Sequence, residues 1–205
     1  YIAIVYSRQG KYAEAQSYYF QSLKIAEEIN DVNGIAVQLN NIGDLYERQN
    51  NLARAEEYYQ KSLPLYESSN RASLSTVLLN LGSIYRKQGR TAEALDYLRR
   101  AVKNAEETSV KADVASALLS IGIIEQNGKQ LQQALTTLFR ALAIAENIPD
   151  NSTVSRSLAA LSETYRLMGS TAQSLDFARR ALETARKYGL KREAKAAAEA
   201  LSAAY

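Results

Sequence analysis

No histidine, cysteine or tryptophan occurs among the 205 residues, and only two are proline and nine glycine. Without histidine and cysteine the chain lacks the commonest general base, thiol nucleophiles and the usual zinc ligands. Many serines remain, but a serine nucleophile needs a base beside it, and only lysine or a carboxylate would serve. Gly10, Gly89, Gly128 and Gly169 each stand alone, so there is no glycine-rich phosphate loop. No apolar run approaches the ~18 residues that suggest a membrane span. Residues 114–124 come nearest and are interrupted by Ser116, Ser120 and Gly122. These absences predict no catalytic residues, no metal site, no cofactor and no membrane insertion by this segment. The lack of cysteine fits either the cytoplasm, slightly preferred, or the periplasm.

Net charge is also small, at +3. Residues 151–205 hold nine Lys or Arg against five Asp or Glu, and the first 150 hold sixteen against seventeen. Nucleic-acid binders show a denser basic stripe with aromatic platforms. Arg179-Arg180 and Lys191-Arg192 are too thinly spread for that, so no nucleic-acid binding by this segment is expected.

What is present is periodicity. Hydrophobic residues make up 46% and charged ones 23%, a globular balance. Residues 34–66 read as two helices joined by a tight turn. With Ala36 as position 1, Leu39, Ile42, Gly43 and Tyr46 fall at positions 4, 7, 8 and 11. At roughly 100° per residue these share one face. Gln49-Asn50-Asn51 interrupts the pattern, and Leu52, Ala55, Tyr59, Ser62 and Leu63 form a facing stripe. Glycine inside a helix costs about 1 kcal/mol relative to alanine. Gly43 on the buried face therefore predicts a close approach of two helices, with the small Ala55 opposite.

The pattern recurs. Tyr6, Tyr46, Tyr85, Glu125 and Tyr165 occupy one column, spaced by 40, 39, 40 and 40 residues, and a further step of 40 reaches Tyr205. Nine residues after each comes a small residue: Ala15, Ala55, Ala94, Ala134, Ser174. Thirteen after comes Tyr19, Tyr59, Leu98, Leu138, Ala178. Ile42-Gly43-x-x-Tyr46 and Leu81-Gly82-x-x-Tyr85, each followed by Ala-x-x-x-Tyr/Leu, resemble the tetratricopeptide repeat (TPR) pattern over essentially the whole chain. The chain departs from it in three ways. Leucines 39, 78, 118 and 158 replace the early tryptophan, the closing proline is missing, and the period is 40 rather than ~34. The extra residues are expected to lengthen both the helices and the loops between repeats. Long repeats of this kind are similar to those of kinesin light chains, Pins scaffolds and Gram-positive pheromone receptors. The wording of the second repeat looks most like arrays in bacterial signalling proteins. HEAT and armadillo repeats have a similar period but lack the Gly-x-x-Tyr and Ala columns.

The resemblance implies an all-α, TPR-like α-solenoid: a right-handed superhelix of antiparallel helix pairs. One array over 1–205 is expected, with repeats at 1–31, 34–69, 73–109, 113–148 and 153–188 and a partial sixth helix at 191–205. Both ends match the interior of a repeat, Ala198, Leu201, Ser202 and Tyr205 falling at positions 4, 7, 8 and 11. No polar cap is seen, which suggests a piece of a longer protein. Pro64 is expected to kink its helix or end it early. Ser152 or Thr153 is expected to cap the helix of the fifth repeat.

In stacked TPR units the first helix of each pair lines the concave side, and positions 2, 5, 6, 9, 12 and 13 point away from the buried face. In the second repeat this puts Asn40, Asn41, Asp44 and Arg48 in the groove, with Val37 and Glu47. The third repeat contributes Asn80, Ser83, Arg86 and Lys87. The fourth contributes Ser120, with Leu119, Ile123 and Gln126. The fifth contributes Arg156 and Glu163, with Ala160 and Arg166. Side-chain amides both donate and accept, so Asn41 and Asn80 suit the backbone of an extended peptide. The resemblance implies that role, matching asparagines having it in long-repeat members. The lysine-rich set that clamps two carboxylates in chaperone-binding members is absent, Asn40, Asp44 and Thr76 standing there. The expected function is thus a protein- or peptide-binding scaffold, the sensory or docking module of a larger bacterial signalling or regulatory protein. The alternatives are a structural spacer that self-associates as a homodimer, and, least supported, a small-molecule or enzyme-regulating domain.

Overall fold

The forty-residue period resolves into two 17-residue helices and two three-residue connections, as in Arg71–Lys87 followed by Thr91–Glu107. A computed structural model of the chain describes residues 1–204, and the expected place of Tyr205 lies outside them. Those residues form eleven helices and no strand. The first helices of the pairs are α1 (Ile2–Arg8), α3 (Val32–Arg48), α5 (Arg71–Lys87), α7 (Lys111–Asn127), α9 (Asn151–Leu167) and α11 (Lys191–Ala203). The second helices are α2 (Tyr12–Glu28), α4 (Leu52–Ser69), α6 (Thr91–Glu107), α8 (Leu131–Glu146) and α10 (Thr171–Lys187). The class is all-α, a solenoid of helix pairs. Contacts divide the chain into two units, Tyr1–Asn104 and Ala105–Tyr205.

The added length beyond ~34 residues lies in the helices, while the connections stay short, contrary to the expected longer loops. The single 39-residue step arises where α4 has 18 residues and only Asn70 separates it from α5. Pro64 does not end α4, which runs five residues further. It sits on the exposed side of the helix, where a carbonyl deprived of its amide partner can be hydrated. The helices α3, α5, α7 and α9 each begin two residues before the expected starts. Their first turns add little to the apolar stripe, so periodicity does not register them. The cap of α9 is Asp150, whose carboxyl accepts from the Thr153 amide at 3.0 Å. Ser152 instead donates to Glu193 of α11.

Every turn inside a pair closes in the same way. The carbonyls of Tyr6, Tyr46, Tyr85, Glu125 and Tyr165 each accept from the amide five residues on, at 2.8–2.9 Å. That closure needs a left-handed residue four positions after the tyrosine column. Gly10, Asn50, Gly89 and Gly169 supply it, and in the fourth repeat Lys129 does so at φ 61°. Gly128, the residue the sequence points to, is at φ −76°.

The core forms where the two helices of a pair meet. Ile42, Leu81 and Leu161 are fully buried on first helices, and Tyr59, Leu98 and Leu138 are fully buried on second helices. Each fully buried side chain of this size contributes roughly 1.5–3 kcal/mol. The glycine column serves this contact. A Cβ on Gly43 would lie 2.6 Å from the Tyr59 ring, and one on Gly82 or Gly122 equally close to Leu98 or Leu138. Close approach is therefore present: the residue thirteen after the tyrosine column covers the glycine, and the small column at nine also lies against it, the Ala94 carbonyl standing 3.4 Å from a Cβ on Gly82. In the fifth pair Ser162 replaces the glycine and donates to the Ser174 carbonyl at 2.8 Å. Position 10 is a further buried column that the reading did not name: Leu45, Ile84, Ile124 and Thr164. On α11, Ala197 is buried while Ala198 and Ser202 are exposed, so the expected stripe is turned outward there.

Candidate functional site

The tyrosine column has a second role. Tyr6, Tyr46, Tyr85 and Tyr165 each stack on the aromatic residue twelve positions later, Tyr18, Tyr58, Tyr97 or Phe177, at 5.1–5.6 Å. Each stack bridges the first and second helix of its pair. The fourth repeat has Glu125 and Thr137 instead. Glu125 is 5% exposed, accepts from Gln133 at 2.8 Å, and leaves its other oxygen unpartnered.

Within Tyr1–Asn104 the face combines α3 and α5. Asn80 donates its amide to the Asn40 side-chain oxygen at 3.0 Å, joining two predicted residues across the helices. Asn41, in the same column as Asn80, is half-buried and takes no part in that bond. Asp44 and Arg48 pair with each other at 2.7 Å, a bond that holds the Arg48 guanidinium above its ordinary range against the effect of burial. Lys87 reaches Glu47 at 2.7 Å. Ser83 is half-buried and Arg86 is exposed.

Within Ala105–Tyr205 the face combines α7, α9 and α11. Ser120 donates back to the Ser116 carbonyl at 2.9 Å, so its hydroxyl proton is committed to its own helix. Glu163 and Arg166 form two hydrogen bonds of 2.6 and 2.7 Å. Arg156 is exposed. Three residues expected to be open are buried: Leu119, Gln126 and Ala160. Gln126 donates to the Ala160 carbonyl and to Thr164 Oγ1, at 3.1 and 3.0 Å, tying α7 to α9. A single-helix wheel omits the next first helix in the stack, and that neighbour covers these positions.

A cavity of about 270 Å³ opens on this face between α7, α9 and α11. Ile123, Ala159, Ala160 and Ala196 wall it, and Arg156 and Glu193 stand beside them. Glu193 and Ala196 escaped the sequence reading because they precede or begin the repeat pattern of the last helix. Among the described residues no group of three or more acidic, cysteine or histidine side chains is placed to hold a metal. No described helix is long and apolar enough to cross a membrane.

The tetratricopeptide repeat family model matches residues 1–68, 39–107 and 113–187. Solved structures share the fold. The chain is similar to BtubC from P. vanneervenii, with a TM-score of 0.78 and 24% identity over 91% of this chain and 78% of that one. It is similar to a signal-transduction ATPase with numerous domains and a tetratricopeptide repeat sensor from Pyrococcus horikoshii, with a TM-score of 0.76 and 19% identity over 97% of this chain. A Rap protein complexed with competence and sporulation factor matches with a TM-score of 0.68 and 19% identity over 94% of this chain. The chain spans 34% and 52% of the last two. No curated protein sequence matches it.

Proposed function

We propose, from the premise that this chain belongs to the tetratricopeptide repeat family, that its first-helix face binds an extended peptide or protein segment. The chain then acts as the docking or sensory module of a larger bacterial signalling or regulatory protein, without chemistry of its own. The observation that carries this reading is the pair of half-buried amides, Asn41 and Asn80, in one column of adjacent first helices. A side-chain amide offers a donor and an acceptor to a peptide group, and Asn41 is not held in the Asn40–Asn80 bond. The sensor in the Pyrococcus protein and the factor bound to the Rap protein lend support by likeness of fold.

The test is selection of linear 12-residue peptides from a displayed library on the whole chain. Binding of the selected peptides should fall at least tenfold in the Asn41→Ala, Asn80→Ala double variant, with little change in the urea midpoint. Unchanged affinity in that variant overturns the reading.

Self-association is a second reading, favoured by Ile25, Ile29 and Val32, which are 58, 67 and 43% exposed. It predicts a mass that rises with concentration in sedimentation and is indifferent to the asparagine changes.

A further inference from the structure

We infer that the cavity beside Ala196 is a specificity pocket that takes one uncharged aliphatic side chain of an extended peptide. This rests on the peptide-binding reading above. The cavity has a cause in the sequence. At positions 5 and 6, where α3 and α5 carry Asn40 and Asn80, α9 carries Ala159 and Ala160. The asparagines join across α3 and α5 in their unit. An alanine side chain has neither the length nor the polar atoms to do so, and in its own unit the space stays open.

Size and chemistry select the occupant. About 270 Å³ falls just below the ~300–1,000 Å³ usual for whole small-molecule ligands. It suits one side chain with its adjoining backbone. Ile123, Ala159, Ala160 and Ala196 offer methyl groups, while Gln126 and Ser155, which also line the space, already donate to Ala160, Thr164 and Ala181, so an aliphatic side chain enters without leaving a polar group unpaired. At the rim, Arg156 on α9 can only donate hydrogen bonds and Glu193 on α11, when ionised, can only accept them. Glu193 suits the amide of a peptide group, and the two rim charges cancel. Glu193 already accepts from Ser152 at 2.8 Å, which orients its carboxylate, and a carboxylate has sites for more than one donor.

The probes are the 12-residue peptides selected as above, synthesised singly and titrated against the whole chain. Selected peptides should share an aliphatic residue at one fixed place, and its replacement by alanine should weaken binding at least tenfold. Ala196→Leu, at an exposed position, should fill the cavity and cause a similar loss without lowering the melting temperature. The peptide-side replacement keeps the test independent of how that variant folds. Peptides that bind yet tolerate both changes would overturn the pocket and leave the peptide reading standing. Selection of no peptide overturns both. A homodimer that Ala196→Leu dissociates would make a second copy the occupant and also overturns the pocket.

Discussion

The Tyr59 hydroxyl donates to the Glu47 carboxylate at 2.9 Å across the α3–α4 pair. The ring is fully buried, and Glu47 also receives Lys87 from α5. One carboxylate thus links three helices. A hydrogen bond to a charged group contributes roughly 1.5–3 kcal/mol. Because Lys87 keeps Glu47 partnered, Tyr59→Phe should cost toward the lower end of that range. A shift in the urea midpoint at constant slope measures it, and an unmoved midpoint would show the bond to be idle.

Gly43 lies under that same ring. Alanine is favoured over glycine in a helix by about 1 kcal/mol, yet a Cβ here would meet two ring carbons at 2.6 Å. Overpacking costs typically 1–3 kcal/mol. Gly43→Ala should therefore destabilise the protein on balance, and Gly43→Leu more strongly. Unchanged urea unfolding in Gly43→Leu would refute the close-packing account.

The fourth repeat carries its glycine one residue early. Lys129 bears the left-handed conformation at φ 61° while Gly128 sits at an ordinary φ. A non-glycine residue there is disfavoured by roughly 1–2 kcal/mol. Exchanging the two, Gly128→Lys with Lys129→Gly, keeps the composition and so nearly preserves the unfolded chain. A Cβ at 128 meets only carbonyl oxygens at 3.5 Å, an ordinary contact. The exchange should stabilise by about 1 kcal/mol, read as a higher melting temperature.

Alkaline pH should weaken the first unit. Burial pushes the Tyr59 phenol far above its ordinary value, and the Glu47 charge adds to the effect. Burial likewise pushes Tyr85 up to about 12, the Gln60 bond opposing and Glu56 reinforcing it. A raised value means that the stabilisation is complete below the unfolded tyrosine value of about 10. It is lost as pH climbs from there through the folded value. Unfolding free energy should fall between about pH 10 and 12. Near-ultraviolet titration should show delayed tyrosinate formation, and Tyr59→Phe should shallow the decline. A flat profile across that window contradicts this.

Much of the fold is legible because burial at fixed spacing leaves columns. The Tyr6 to Tyr165 column and the Gly43, Gly82 and Gly122 column each mark one contact made repeatedly. That the Tyr59 ring lies directly over Gly43 was not legible, since which side chain arrives there depends on the register of two helices. The burial of Leu119 and Gln126 was missed for a related reason: a helix wheel knows nothing of the neighbouring helix. Asp150 outcompetes Ser152 as a cap because Asn151 and Ser152 already belong to the helix. Of the site, the polar face of α3 and α5 could be listed residue by residue. The space between α7, α9 and α11 could not, because it is defined by short side chains on three separate helices.

Asn70 ends α4 and starts α5, and its side chain accepts from the Ser73 amide and donates to Asn33, both at 3.2 Å. Considered as a mechanism, this joint has two angles, the φ and ψ of one residue, with a lever arm of roughly 25 Å on either side. A turn of about ten degrees there sweeps the far end of a helix through about 4 Å. Two hydrogen bonds from one amide thus clamp a point of high leverage, and the lean of α4 is passed to α5 without slack.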